Sequence, residues 1–95
     1  MSTLNLIISF DPSKNNLNKL LRGLSFRLAL KFEWASALIT EDIRNDYGES
    51  RYLALGFIDI RLHAIVFTPR DQTVHIISLR KANSREAVLY EQKKP

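Results

Sequence analysis

The chain has no cysteine, so neither a disulfide framework nor a thiolate metal site can organise it. It has two histidines, His63 and His75, and nothing in the sequence sets a third ligand beside them, which leaves a metal site without support. Glycine is scarce and forms no phosphate-cradling loop. No serine stands in an elbow motif, so a hydrolase triad has no basis either. No run approaches the roughly 18 apolar residues that a membrane span needs. The first residues lack the basic region and cleavage site of a signal peptide. These absences fit a protein of the reducing cytoplasm with no membrane contact and no cofactor.

What is present is a chain of 95 residues, 45% apolar, with a formal charge of +4. That length implies one domain, residues 1–95, with a real but modest core. A basic surface of this size attracts polyanions such as RNA, or an acidic protein partner.

The pattern along the chain predicts an α+β fold. Leu4 to Phe10 reads as a strand, β-branched at Ile7 and Ile8. Asp11-Pro12 starts a helix, with Asp11 as cap and Pro12 at the first position. Leu17, Leu20, Leu21 and Leu24 then recur at helical spacing and read as the core face, with Lys14, Lys19 and Arg22 outside. Gly23 closes that helix over Pro12–Arg22. A second helix is expected over Ser25–Phe32, then a weak strand over Ala37–Thr40 and a polar loop over Glu41–Ser50. Three strands follow, Arg51–Ile58, Arg61–Thr68 and Gln72–Leu79, joined by turns near Asp59 and at Pro69-Arg70-Asp71. Asn83 or Ser84 caps a short final helix. The expected architecture is N-terminal helices on an antiparallel sheet of three to four strands, its other face partly covered.

The segment from His75 to Glu86 concentrates the candidate chemistry. It places His75, Ser78, Arg80, Lys81, Asn83, Arg85 and Glu86 across a strand end and a helix start. A helix N-terminus offers free N–H groups to an anion, and Arg and Lys beside it would bind phosphate. RNA cleavage at such a site needs no metal: the adjacent 2′-OH attacks the phosphodiester. A base takes its proton, an acid protonates the leaving oxygen, and fixed cations stabilise the phosphorane. Arg80, Lys81 and Arg85 are the candidates for the phosphate, with Arg51 and Arg70 guiding the flanking backbone. His75 or Glu86 would be the base. His75 titrates near neutrality, whereas Glu86 would need a raised pKa and competes for a capping box with Asn83. In a regular strand His75 and Arg80 fall on opposite faces, so one site holding both requires a bulge or a turn at the strand's end. The same charges also suit a solvated helix cap.

The chain resembles the BrnT family of toxins along nearly its whole length. The N-terminal part carries the resemblance through Asp11, Lys14, Asn18, Gly23, Ser25, Phe26 and Ala29. Tyr47, Gly48, Glu49, Arg51, Leu55 and Gly56 carry it in the middle. The most specific stretch is Ile76-Ile77-Ser78-Leu79-Arg80-Lys81-Ala82-Asn83, followed by Glu86 and Tyr90. The resemblance implies a RelE-like fold and an endoribonuclease that arrests translation. It also implies neutralisation by a cognate antitoxin, through which alone operator DNA is bound. Two positions depart from the family pattern: Leu21-Arg22-Gly23 stands where members commonly have Lys-His-Gly, and His75 where many have Arg. A catalytically degenerate module that binds antitoxin and nucleic acid without cutting is the alternative.

Overall fold

The computed structural model describes residues 6–44 and 46–95. Leu4 and Asn5, the start of the expected first strand, and the turn former Asn45 lie outside the described residues. The elements are β1 (Ile8–Phe10), α1 (Pro12–Arg22), a 3₁₀ turn (Phe26–Leu30), a shorter one (Trp34–Ser36), β2 (Leu38–Asp42), β3 (Arg51–Ile58), β4 (Arg61–Arg70), β5 (Thr73–Lys81) and α2 (Ser84–Lys93). The strands form one sheet in the order β1-β5-β4-β3-β2.

The sheet is mixed and five-stranded, not antiparallel with three to four strands. β2 to β5 pair antiparallel, but β1 runs parallel to β5, with Ile8 opposite Val74 and Phe10 opposite Ile76. A strand that reaches the sheet by a long connection, not a hairpin, is free to take this direction. The expected helix over Ser25–Phe32 is a 3₁₀ turn ending at Leu30. Its buried residues explain this: Phe26, Ala29 and then Phe32 recur every third residue, the period of a 3₁₀ turn. β2 continues to Asp42, into the stretch read as loop.

β4 also runs through Pro69 to Arg70, and the turn is Asp71-Gln72 alone. Pro69 is tolerated because Val74, opposite it, donates its N–H to Ile7 at 2.9 Å, away from β4. The nitrogen of Pro69 therefore points to the side where β3 pairing has ended, at Tyr52–Phe67. Asp71 and Asp59 both adopt φ 54°, a left-handed geometry that aspartate tolerates in hairpin turns.

One face of the sheet packs Ala54, Ile65, Phe67, Ile76 and Leu79 against Phe26, Ala29 and Phe32. Gly56 is required there, since a Cβ would lie 2.6 Å from Cζ of Phe32. α2 covers part of the other face through Tyr90, which packs with Leu55, Leu62 and Ala64. The Tyr90 hydroxyl donates to the Ser36 carbonyl at 3.0 Å. Among the described residues, no helix is long and apolar enough to cross a membrane.

The orientation of α1 reverses the sequence expectation. Its leucines were expected inside, yet Leu17, Leu20 and Leu21 are 53%, 81% and 71% exposed. Asn15 and Asn18 are the buried residues instead. The Asn18 amide donates to the carbonyls of Leu24 and Leu79, both at 2.9 Å, and Asn15 Oδ1 accepts the Phe26 N–H at 2.8 Å. Leucines and asparagines at helical spacing define two different stripes, and what α1 meets is the Leu79 carbonyl of β5 and the backbone of Leu24 and Phe26, not an apolar trough. Asn18→Ala should therefore cost about 1–3 kcal/mol, because it strands buried polar groups. Leu20→Ala should stay within about 0.5 kcal/mol. Urea unfolding of the two variants checks this ranking; the reverse order would mean the leucines hold the helix.

Candidate functional site

An irregularity in β5 assembles the site. Ala64, Val66 and Thr68 alternate onto one face of β4. Their β5 partners are Arg80, Ser78 and His75 respectively. The register shifts between Val66 and Phe67, because Val66 faces Ser78 while Phe67 faces Ile76, leaving Ile77 as an extra residue. This bulge brings His75, Ser78 and Arg80 to a common face, where regular alternation would have separated His75 from Arg80. It is the face opposite the one packed on Phe26, Ala29 and Phe32. Ser9 and Arg51 join it through their pairing with His75 and Asp42.

At one end of this face Arg80 forks onto Glu86, with Nη1–Oε1 at 2.7 Å and Nη2–Oε2 at 2.9 Å. Glu86 belongs to a capping box with Asn83: each backbone N–H donates to the other's side chain, at 3.0 and 2.8 Å. The Arg80 guanidinium holds the Glu86 carboxyl below its ordinary pKa, with smaller help from the Asn83 N–H and Arg85. Glu86 in turn raises that of Arg80. Both charges are fixed, and the base role would require Glu86 to shift the other way. The fork borders a cavity of about 350 Å³ with Leu53 and Val66 in its lining. Asp42 and Arg44 form a second fork on its rim, at 3.0 and 3.1 Å. Arg44 holds the Asp42 carboxyl down to about 2.

At the other end His75 Nδ1 is hydrogen-bonded to the Ser9 hydroxyl at 2.9 Å. Burial, and then the charge of Arg70, push the His75 imidazole below its ordinary pKa. Glu49 lies between two guanidiniums, 3.2 Å from Arg70 and 3.8 Å from Arg51. Arg51 also stacks over the Tyr47 ring at 4.0 Å. Along β4, Thr68, Val66 and Ala64 are two residues apart, so Ser78 stands about 7 Å from His75 on one side and from Arg80 on the other.

The structure thus brings together Arg80, Glu86 and the nearby Arg85, and separately His75, Arg70 and Arg51. Lys81 is not among them. It pairs with His63, on the face opposite Arg80, and is exposed. His63 is buried, with Nδ1 at 2.8 Å from the Arg61 carbonyl, and plays a structural part. Sequence reasoning missed Ser9, Glu49, Asp42 and Arg44 as site residues. Glu49 carried a signal, because two arginines on one sheet face call for an anion between them. Asp42 and Arg44 were hidden in a stretch read as loop. Trp34 is half-buried against Phe32 and Phe67, and its indole N–H donates to the Ala29 carbonyl. Among the described residues, no three His, Cys, Asp or Glu side chains form a metal-binding group.

Comparisons with known proteins give a family and a similar fold. The sequence model of the family described as "Ribonuclease toxin, BrnT, of type II toxin-antitoxin system" matches residues 10–86. Among solved structures, the Brucella abortus ribonuclease toxin BrnT is similar, with a TM-score of 0.67 at 23% identity, over 84% of this chain and 100% of that one. No curated protein matches the sequence.

Both shifted groups resist protonation in the fold, so each adds stability that is complete above its ordinary pKa and fades as pH falls through the lowered one. For His75 the loss begins below 6.5 and for Glu86 below 4.5. A titration of the imidazole by NMR should give a midpoint for His75 below 6.5, with the ring neutral at pH 7. Glu86→Gln should flatten the fall in stability on the acid side of 4.5. An unchanged acid limb would show that the Arg80 fork does not hold this carboxyl.

Proposed function

Because the chain belongs to the BrnT family, the ribonuclease toxins of type II toxin–antitoxin systems, we propose that it cuts RNA on the open sheet face, with the scissile phosphate over Ser78 between His75 and Arg80. The observation that carries this reading is the β5 bulge, which puts a neutral imidazole and a fixed guanidinium on one face, each about 7 Å from Ser78 along the strands.

The reaction is attack of the 2′-OH on the adjacent phosphorus, a step that draws on no metal: the P–O2′ bond forms as the P–O5′ bond breaks, leaving a 2′,3′-cyclic phosphate and a 5′-oxygen that takes a proton from solvent. The tautomer that donates from Nδ1 to Ser9 leaves Nε2 of His75 to accept the 2′-OH proton. A depressed pKa keeps the ring in the accepting form near neutrality. Arg80, oriented by Glu86, stabilises charge on the phosphorane. Glu86 is thereby a positioning residue. Arg85, exposed in the first turn of α2, contributes long-range positive charge. Arg51 and Arg70, spaced by Glu49, guide the flanking backbone. Lys81 guides the strand only where RNA wraps the sheet end. The RelE-like kinship implied by the sequence fits a substrate held on a sheet face.

Two consequences belong to the same reading. The chain arrests translation in the cytoplasm, where its substrate is, and a cognate antitoxin neutralises it and alone touches operator DNA. The net charge of +4 favours an acidic partner. The degenerate, non-cutting alternative rested on Arg22 in place of the family's histidine. Position 22 lies in the last turn of α1, where Arg22 donates to Asn18 Oδ1 at 3.1 Å and lines a groove that also reaches Ser78. The change leaves a cation there and His75 still supplies an imidazole, which supports the active reading.

Arg80→Ala should slow cleavage of a defined RNA by about 10²–10³-fold, the scale of one lost transition-state donor. Arg70→Ala should raise KM and reduce the salt dependence of binding, with recovery at low salt. A 2′-deoxy nucleotide at the cut position should stop the reaction. An Arg80→Ala protein cutting at the native rate would place the chemistry elsewhere. Co-expression of the small protein encoded beside this chain should restore growth and co-purify with it.

A further inference from the structure

α1 leaves a surface that none of the described residues covers. Between Pro12 and Arg22 it carries Lys14, Lys19 and Arg22 and no acidic residue. Its leucines, which the fold does not use, face outward beside those cations. A groove of about 290 Å³ runs between this helix and β5, with Lys14, Leu17, Leu21, Arg22 and Ile77 in its lining. Its far wall is the stretch of β5 beyond the end of β1, whose pairing stops at Phe10–Ile76. Among the described residues no strand adds to that edge from Ile77 onward.

Contiguous exposed apolar side chains on a small soluble domain mark a contact surface. The charges decide what covers it. In a symmetric pair of chains the same patch would meet itself, setting Lys14, Lys19 and Arg22 against their own copies. An occupant with carboxylates flanking an apolar stripe satisfies both features at once.

We propose that the α1–β5 groove is the docking site for an acidic amphipathic segment of the antitoxin, whose apolar side chains seat on Leu17, Leu21 and Ile77 while Asp or Glu residues meet Lys14 and Arg22. The assignment rests on the toxin reading above and goes beyond it by placing the partner. The groove lies at the free edge of β5, and Ser78, part of its lining, belongs to the same strand as the proposed phosphate site. A partner anchored there meets the proposed phosphate site at Ser78 and reaches over the edge toward Arg80.

The test uses the full chain and, as probe, the purified small protein encoded beside it. Affinity is measured by calorimetry for the native chain and for Leu17→Asp, Leu21→Asp and Lys14→Glu. These positions are exposed, so the unfolding midpoint should not move. Each Leu→Asp change should weaken binding by about tenfold or more, as for an interface hot spot, and Lys14→Glu by a few-fold. Affinity of the native chain should fall as salt rises. Cleavage by the unbound Leu17→Asp and Leu21→Asp variants should stay at the native rate. Native-like affinity in both Leu→Asp variants would overturn the placement while leaving the antitoxin reading intact. No binding by the native chain would remove that reading and the proposal with it. A concentration-dependent dimer of the native chain alone, dissolved by Leu21→Asp, would make the occupant a second copy and overturn the proposal as well.

Discussion

The carboxamide of Asn18 holds three parts of the chain at one point. It donates to the Leu24 carbonyl just beyond its own helix and to the Leu79 carbonyl in the last strand. Asn15, one turn earlier, accepts the N–H of Phe26 at the start of the 3₁₀ turn through Oδ1. Buried carbonyls without partners cost more than a net hydrogen bond returns, so α1 has to present amides, not leucines, to the sheet. Everything on the outer side of that helix follows from this choice, including a leucine-rich surface that a domain of this size would not otherwise keep in water.

The opposite face depends on a different constraint, the single extra residue in β5. With Ile77 accommodated, the strand changes phase, and a histidine and an arginine five positions apart share one side. The electrostatics then separate into two balanced groups. Arg80 and Asp42 are each locked in a fork, Arg80 with Glu86 and Asp42 with Arg44. His75 sits apart from these, half-buried beside a hydroxyl and near a guanidinium, which keeps its ring uncharged. A face with fixed cations and one neutral titratable group suits proton transfer next to an anion better than a uniformly basic one would.

Much of this was legible in the residues. Asp11 and Pro12 start α1 and Gly23 ends it, and the alternation over Arg51–Ile58 and Arg61–Thr68 placed β3 and β4. Asn83 and Glu86 announced their capping box. Three features were not legible, each for a physical reason. The leucine stripe of α1 has the same period whether it faces a core or a partner. A parallel edge strand of three residues leaves no turn signal. The Ile76-Ile77 pair gives no sign that one of the two is supernumerary, since both are apolar and β-branched. The open face could be anticipated only as a condition, that a bulge must exist if His75 and Arg80 are to act together.

The bond from Asn18 to Leu79 spans 61 positions of sequence, and β1 likewise waits for Val74 to Ile76 before it has a neighbour. Synthesis runs from the N-terminus, so the opening third of the molecule leaves the ribosome before its partners in β5 are made. The hairpins from β3 to β5 can close on themselves, but α1 docks only when the last strand has emerged. His75 and Arg80 themselves lie in that strand. A nascent chain therefore lacks the open face until almost its last residues are out, and an interrupted one never acquires it at all.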